Sequence, residues 1–221
     1  MTTTENRTYL RALPSPTWLR FYDPLSRLLG THELHWQLVA QAGIEPGATV
    51  LEIGCGTAAL LLLAKHAVPD ISAIGLDPDA DALALARRKA TRDQLTVRLD
   101  RGYADRLPYA DGSVDRVLSS FMLHHLPGPE QVTALREVRR VLAPGGRLHV
   151  LDLNGDPRDG LVGRLLSLGR RRGGEGHGHG HGHGQPASIP ALLTEAGLVD
   201  VTETGRGTTP LGSHTFYRAS R

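Results

Sequence analysis

Cysteine is nearly absent from this chain of 221 residues, Cys55 being the only one. A lone thiol has no internal partner, which excludes a disulfide-stapled secreted scaffold and leads us to expect a reducing, cytoplasmic setting. Lysine is almost as scarce: Lys65 and Lys89 stand among 25 Lys and Arg residues, and the formal net charge is only +2. So balanced a chain has no clustered basic face, and nucleic acid is not expected as a partner. Long apolar runs are missing too. The most continuous, Ala58 to Ala64, is halted by Lys65, far short of the roughly 18 residues that a membrane span needs. The start, MTTTENRTYL, has neither the basic nor the apolar region of a signal peptide. Aromatics make up 5% of the residues. Half of them fall between Tyr9 and Trp36, where Leu25, Leu28 and Leu29 follow Phe21 at helical spacing, so short amphipathic helices are expected there.

Glycine and histidine are present in excess, 26 and 11 residues. One segment, GGEGHGHGHGHG from Gly173 to Gly184, inflates both. Its histidines His177, His179, His181 and His183 would share one face of a strand, at a spacing suited to a transition metal. Ordering so much glycine is costly, so a flexible insertion over residues 170–186 is the expected form, with no metal assigned.

The remainder, residues 45–221, alternates. Thr49–Ile53, Ser72–Leu76, Leu95–Asp100, Asp115–Phe121 and Arg147–Leu153 read as strands. Thr57–Ala67, Asp79–Thr91 and Gln131–Leu142 between them read as helices, the first started by Thr57. Such alternation predicts βαβ units and a parallel sheet. After Ser188–Ala196, a helix ended by Gly197, come two strand-like runs, Val199–Thr204 and Ser213–Ala219. Their linker is too short for a helical crossover, so the pair is expected to be antiparallel.

Between the first strand and first helix lies Glu52-Ile53-Gly54-Cys55-Gly56-Thr57-Ala58-Ala59, where open α/β sheets bind ligands. Gly54, Gly56 and Ala59 fit the dinucleotide template, and Asp77 follows at the end of the second strand, which by itself would suggest an NAD-dependent oxidoreductase. Glu52 argues against that reading. A pyrophosphate is repelled by a carboxylate two residues before the first glycine, whereas a ligand bearing a cation is attracted.

The segments VLEIGCGTA, GLDPDADAL, LPYADGSVDRVLSSFMLHHL and EVRRVLAPGGRLHVLDL resemble the successive motifs of class I S-adenosylmethionine-dependent methyltransferases. The resemblance covers about residues 45–153 and is nearest to the ubiquinone/menaquinone and small-molecule group. It implies an α/β fold with a Rossmann-like, seven-stranded, mostly parallel sheet whose last strand is antiparallel, helices on both faces, and S-adenosyl-L-methionine as cofactor. Carried over by position, Gly54 and Gly56 with Cys55 between them would lie under the methionine part. Glu52 would face its ammonium, Asp77 would hold the ribose hydroxyls, and Leu76 and Pro78 would flank the adenine. Where the family often has an acidic residue for the adenine amino group this chain has Tyr103, followed by Ala104 and Asp105, and the Ala104 amide is left to serve the ring edge. The third motif glycine is replaced by Ala58, with little consequence expected. Ser120 and Phe121 would line the methyl end.

Methyl transfer needs alignment and exclusion of water, and needs a base only where the acceptor holds a proton. His124 is the candidate base; His125, where the family often has histidine, is read as structural. The segment YDPLSRLL is similar to the N-terminal lid of these enzymes, which implies a helical lid over residues 1–44; Tyr22 would place its ring or hydroxyl near the sulfonium, or else pack with Trp18 and Phe21 as one helix face. Glu137 and Asp115 are read as structural carboxylates, and Cys55 as packing. The expected partner is a small-molecule or lipid-like acceptor, with a homodimer left open. The alternatives are the NAD-dependent oxidoreductase and a non-catalytic cofactor- or metal-binding protein.

Overall fold

The computed structural model describes residues 29–153, 188–210 and 212–221. Helix α1 (Thr31–Ala42) precedes β1 (Thr49–Ile53), α2 (Ala59–Ala67), β2 (Ser72–Asp77), α3 (Ala80–Arg92), β3 (Arg98–Arg101) and β4 (Val114–Ser120). A 3-10 turn (Leu123–His125) leads into α4 (Gly128–Val141), β5 (Leu142–Leu153), α5 (Ile189–Glu195), β6 (Val199–Thr209) and β7 (Gly212–Ser220). All seven strands join one sheet in the order β3-β2-β1-β4-β5-β7-β6. Strands β1 to β5 pair in parallel, and β7 runs antiparallel between β5 and β6. The chain works outward from β1 to β3 and then returns to β4 beside β1. That reversal opens a crevice at the carboxyl ends of β1 and β4, the place where such sheets bind ligands.

Two apolar layers sandwich the sheet. Leu34 and Leu38 of α1, Leu60 and Leu61 of α2 and Ala86 of α3 pack on Val50, Leu118, Leu151 and Phe216. On the other face, Leu135 and Val138 of α4 and Leu192 and Leu193 of α5 cover Leu51, Val117, Leu148 and Val150. Successive strand residues point to opposite faces, and both faces are covered, which is why these strands read as unbroken apolar runs.

The elements depart from the sequence expectation mainly at their ends. Strand β3 is shorter, beginning at Arg98; it lies at the sheet edge and pairs only with β2, so Leu95 and Val97 pack on the core without joining the ladder. Helix α4 starts three residues earlier, with a proline in its first turn, where the missing N–H loses nothing. Strands β6 and β7 continue through most of what looked like a linker, pairing to Thr209 and Gly212.

Candidate active site

At the end of β1 the chain turns through Gly54 and Gly56, both left-handed with φ +65° and +50°. A Cβ on Gly54 would come within 2.2 Å of Met122 Cγ, so only glycine lets the segment after β4 pack over the turn. A Cβ on Gly56 would meet nothing within 4 Å; there the backbone borders open space.

The residue at the start of α2 is Ala58, left-handed at φ +58° and without a side-chain cap. This corrects two expectations. Thr57 does not cap the helix: its carbonyl and hydroxyl accept from Lys89 Nζ at 2.9 and 3.3 Å. The alanine in the third glycine position is not free of consequence either, because an L-residue in that conformation carries about 1–2 kcal/mol of strain. The cap comes from β1. Glu52 Oε2 accepts the Leu61 N–H at 2.9 Å, and burial pushes its carboxyl well above the usual range. Asp77, at the end of β2, accepts the Gly56 N–H at 2.7 Å through Oδ2 and the Asp79 N–H at 2.8 Å through Oδ1. Burial raises its proton affinity, and those two amides oppose the rise. Among the described residues these two amides engage two of about four lone-pair sites.

Cys55 donates its N–H to the Leu76 carbonyl, and its thiol is buried beside Gly75. Burial pushes the thiol pKa up, so Cys55 is a packing residue. The Pro78 carbonyl accepts from Arg101 Nε at 3.1 Å, and the Gly102 N–H donates to the Asp77 carbonyl at 3.2 Å. These bonds set the loop of Tyr103, Ala104 and Asp105, all half-buried, against the end of β2. Leu107 and Tyr109 behind it are held by α4: Glu137 Oε2 accepts the Leu107 N–H at 2.8 Å and pairs with Arg140, which also reaches the Leu107 and Tyr109 carbonyls. Asp115 accepts the Thr49 N–H at 2.8 Å. Both carboxylates are structural, as expected.

Past β4, Phe121 is left-handed at φ +52° and donates its N–H to the Leu151 carbonyl. Ser120 Oγ lies 3.0 Å from Nε2 of His35 on α1. His124 Nδ1 is 2.5 Å from Oδ1 of Asp152, whose side chain has no exposed surface. The His125 ring stacks tilted on that of His124, centroids 4.1 Å apart, and burial followed by the neighbouring His124 lowers its proton affinity. His35 and Asp152 escaped the sequence reading. Asp152 sat inside an apolar strand run, and no local spacing announces a partner 28 or 85 residues away. Tyr22 and the Gly173–Gly184 tract lie outside the described residues. Among the described residues no group of three or more His, Cys, Asp or Glu is placed to hold a metal ion.

A methyltransferase-domain family profile matches residues 50–146. The demethylmenaquinone methyltransferase of Lactiplantibacillus plantarum is 41% identical over 138 residues, 59% of this chain and 57% of that protein. The demethylmenaquinone methyltransferase of Thermus thermophilus is 38% identical over 149 residues, 65% of this chain and 67% of that one. The chain belongs to the class I S-adenosylmethionine-dependent methyltransferases. The chain spans about three fifths to two thirds of the length of those two curated relatives. Among solved structures, a SAM-dependent methyltransferase from Aquifex aeolicus superposes with TM-score 0.65 at 18% identity over 93% of this chain and 97% of that one. Magnesium protoporphyrin IX methyltransferase from Synechocystis, solved with bound SAH, gives 0.66 at 19% identity over 87% and 84%. At such identities the two structures speak for the fold alone. The family profile and the two curated relatives are methyltransferases, against the oxidoreductase alternative. The residues present also fit S-adenosylmethionine: the Gly56 backbone borders open space, Asp77 has two of its acceptor sites engaged by the Gly56 and Asp79 amides, and Glu52 sets a buried carboxyl beneath the turn.

Proposed function

We propose that the protein transfers a methyl group from S-adenosylmethionine to a small, quinone-type acceptor in the cytoplasm. The observation that carries the reading is the frame at the switch point: two buried carboxylates, Glu52 and Asp77, hold the glycine turn between them through the Leu61 and Gly56 amides. The demethylmenaquinone methyltransferases among its relatives support the acceptor class. No helix among the described residues is long and apolar enough to cross a membrane.

When bound, S-adenosylmethionine supplies a methyl group on a positively charged sulfur that leaves as a neutral thioether. The chain's own residues do the rest. Glu52 favours the cationic end of the ligand, its buried carboxyl ionising as the positive charge arrives, and Asp77 favours the hydroxyls through the acceptor sites its two amide partners do not use. Pro78 and the Tyr103–Asp105 loop flank the adenine end, with the Ala104 amide for its edge. Ser120 and Phe121 border the methyl end, and His124 takes a proton from the acceptor. Exclusion of water and alignment of the two reactants give the rate.

A thermal-shift comparison tests this reading. S-adenosylmethionine and its demethylated product, each at 100 times Kd, should raise apparent stability by about 2.7 kcal/mol, with no effect of NAD. A shift with NAD alone would overturn the assignment. Methyl transfer to a reduced naphthoquinone, followed by mass spectrometry, then tests the acceptor class.

A further inference from the structure

The geometry points to Asp152 as the positioning residue of a proton-accepting dyad with His124, and hence to an acceptor bearing a hydroxyl whose proton leaves as the methyl arrives. This rests on the methyltransferase reading above.

Asp152 sits near the carboxyl end of β5, between Leu151 and Leu153, with no exposed surface. A carboxylate there is expensive unless its oxygens are satisfied, and an apolar residue would serve the fold at less cost. Its oxygens accept three N–H groups: Nδ1 of His124 at 2.5 Å, the His124 amide at 3.3 Å and the Leu153 amide at 2.8 Å. Two of the three belong to one histidine. The ring is therefore fixed both through its side chain and through its backbone. The turn that carries it is pinned again by Gln131 Nε2, which donates to the Leu123 carbonyl at 2.8 Å. An acceptor at Nδ1 places the proton on that nitrogen and leaves Nε2 with its lone pair as the base. The His124 side chain is 22% exposed, so the ring has an open side. Among the described residues its ring also meets that of His125, whose proton affinity burial lowers.

A positioned base is wasted on a thiolate or a neutral amine, which attack without losing a proton first. A phenol-like hydroxyl has a pKa near 10 and stays protonated at neutral pH. In the step we infer, the O–H bond breaks, the proton goes to His124 Nε2 and the electron pair stays on the acceptor. The oxygen, or the ring carbon conjugated to it, forms the bond to the methyl group, and the methyl–sulfur pair remains on sulfur. Where carbon is methylated, its hydrogen returns a proton to the oxygen. Water then takes the proton from Nε2.

The first test needs no ligand. In protein labelled with 15N-histidine, His124 should show a single tautomer protonated at Nδ1, with a far-downfield Nδ1 proton that Asp152→Asn abolishes; the resonance is assigned by its loss in His124→Gln. A wild-type ring protonated at Nε2 would overturn the inference. The second test uses S-adenosylmethionine with 1,4-dihydroxynaphthalene, the reduced form of 1,4-naphthoquinone, and with 4-nitrothiophenol, which is already an anion at pH 8. Asp152→Asn should lower kcat for the hydroxyl probe about 100-fold with KM nearly unchanged, recover as pH rises, and leave the thiolate rate alone. Equal loss on both probes would reduce Asp152 to a structural residue and refute the proposal. His124→Gln, altering a partly exposed ring, serves should Asp152→Asn fail to fold. No stabilisation of the wild type by S-adenosylmethionine would instead refute the methyltransferase reading itself.

Discussion

Replacing His149 by leucine should stabilise the protein, although most changes in a packed sheet do the opposite. His149 lies in the middle of β5, level with Leu118 of β4 and Arg218 of β7. It is 1% exposed, and among the described residues neither ring nitrogen has a hydrogen-bond partner. Each buried polar atom left without a partner costs about 1–3 kcal/mol. Leucine fills a similar volume and leaves nothing unpaired, so the lower end of that range for two atoms gives a gain of about 2 kcal/mol at pH 7. For a chain of this size that raises Tm by about 4–8 °C. The gain should grow in acid. Burial, and then the charges of Arg116, Arg218 and Arg147, lowers the His149 pKa to about 4 from the usual 6.5. Below pH 6.5 the unfolded chain takes up a proton that the folded one refuses, so this contribution is full above 6.5 and is lost as pH falls toward 4. The gap corresponds to about 3 kcal/mol in all, of which about 2 kcal/mol is gone by pH 5. Guanidinium unfolding of both proteins at pH 7 and pH 5 measures each part. Parallel pH dependence in the two proteins, or a variant less stable at pH 7, would refute the reasoning.

Three further outcomes follow from the site. Glu52→Gln keeps an acceptor for the Leu61 amide but cannot ionise when a cationic ligand arrives, so Tm should stay within a few degrees while calorimetry shows S-adenosylmethionine binding about 10–100-fold weaker. Gly54→Ala drives a methyl group to 2.2 Å from Met122 Cγ and should abolish soluble folded protein, whereas Gly56→Ala meets no neighbour and should cost only about 1–2 kcal/mol of conformational strain in denaturant titration. Glu137→Ala frees the Leu107 amide and breaks the pair with Arg140, which holds the Glu137 carboxyl below its usual range; thermal unfolding should show a loss of about 1–2 kcal/mol.

Much of the fold was legible because the signals for it are local. Apolar runs such as Thr49–Ile53 and Ser72–Asp77 alternate with helices, and Asp79 caps α3 through the Asp81 and Ala82 amides, within three residues of itself. The site was legible in part. Gly54 and Gly56 announce a tight turn by lacking a Cβ, and Glu52 and Asp77 stand out as charges at the ends of apolar strands. The roles of those carboxylates in the frame were not readable. Glu52 serves an amide nine residues on, and Asp77 an amide 21 residues back, and only the packing of β1, β2 and α2 brings each pair together. The Thr57 cap failed for the same reason: a buried carboxylate from the sheet had already reached the helix start.

By itself, then, the sequence determined the alternation of elements, the glycine turn at the end of β1, the antiparallel final hairpin and the family resemblance, all of which rest on residues within a few positions of one another. The tertiary structure alone decided which distant side chains meet. Sheet order and register set Asp152 under His124 and left His149 buried without a partner, because the direction a strand residue faces is local, while what lies there depends on how the whole chain packs.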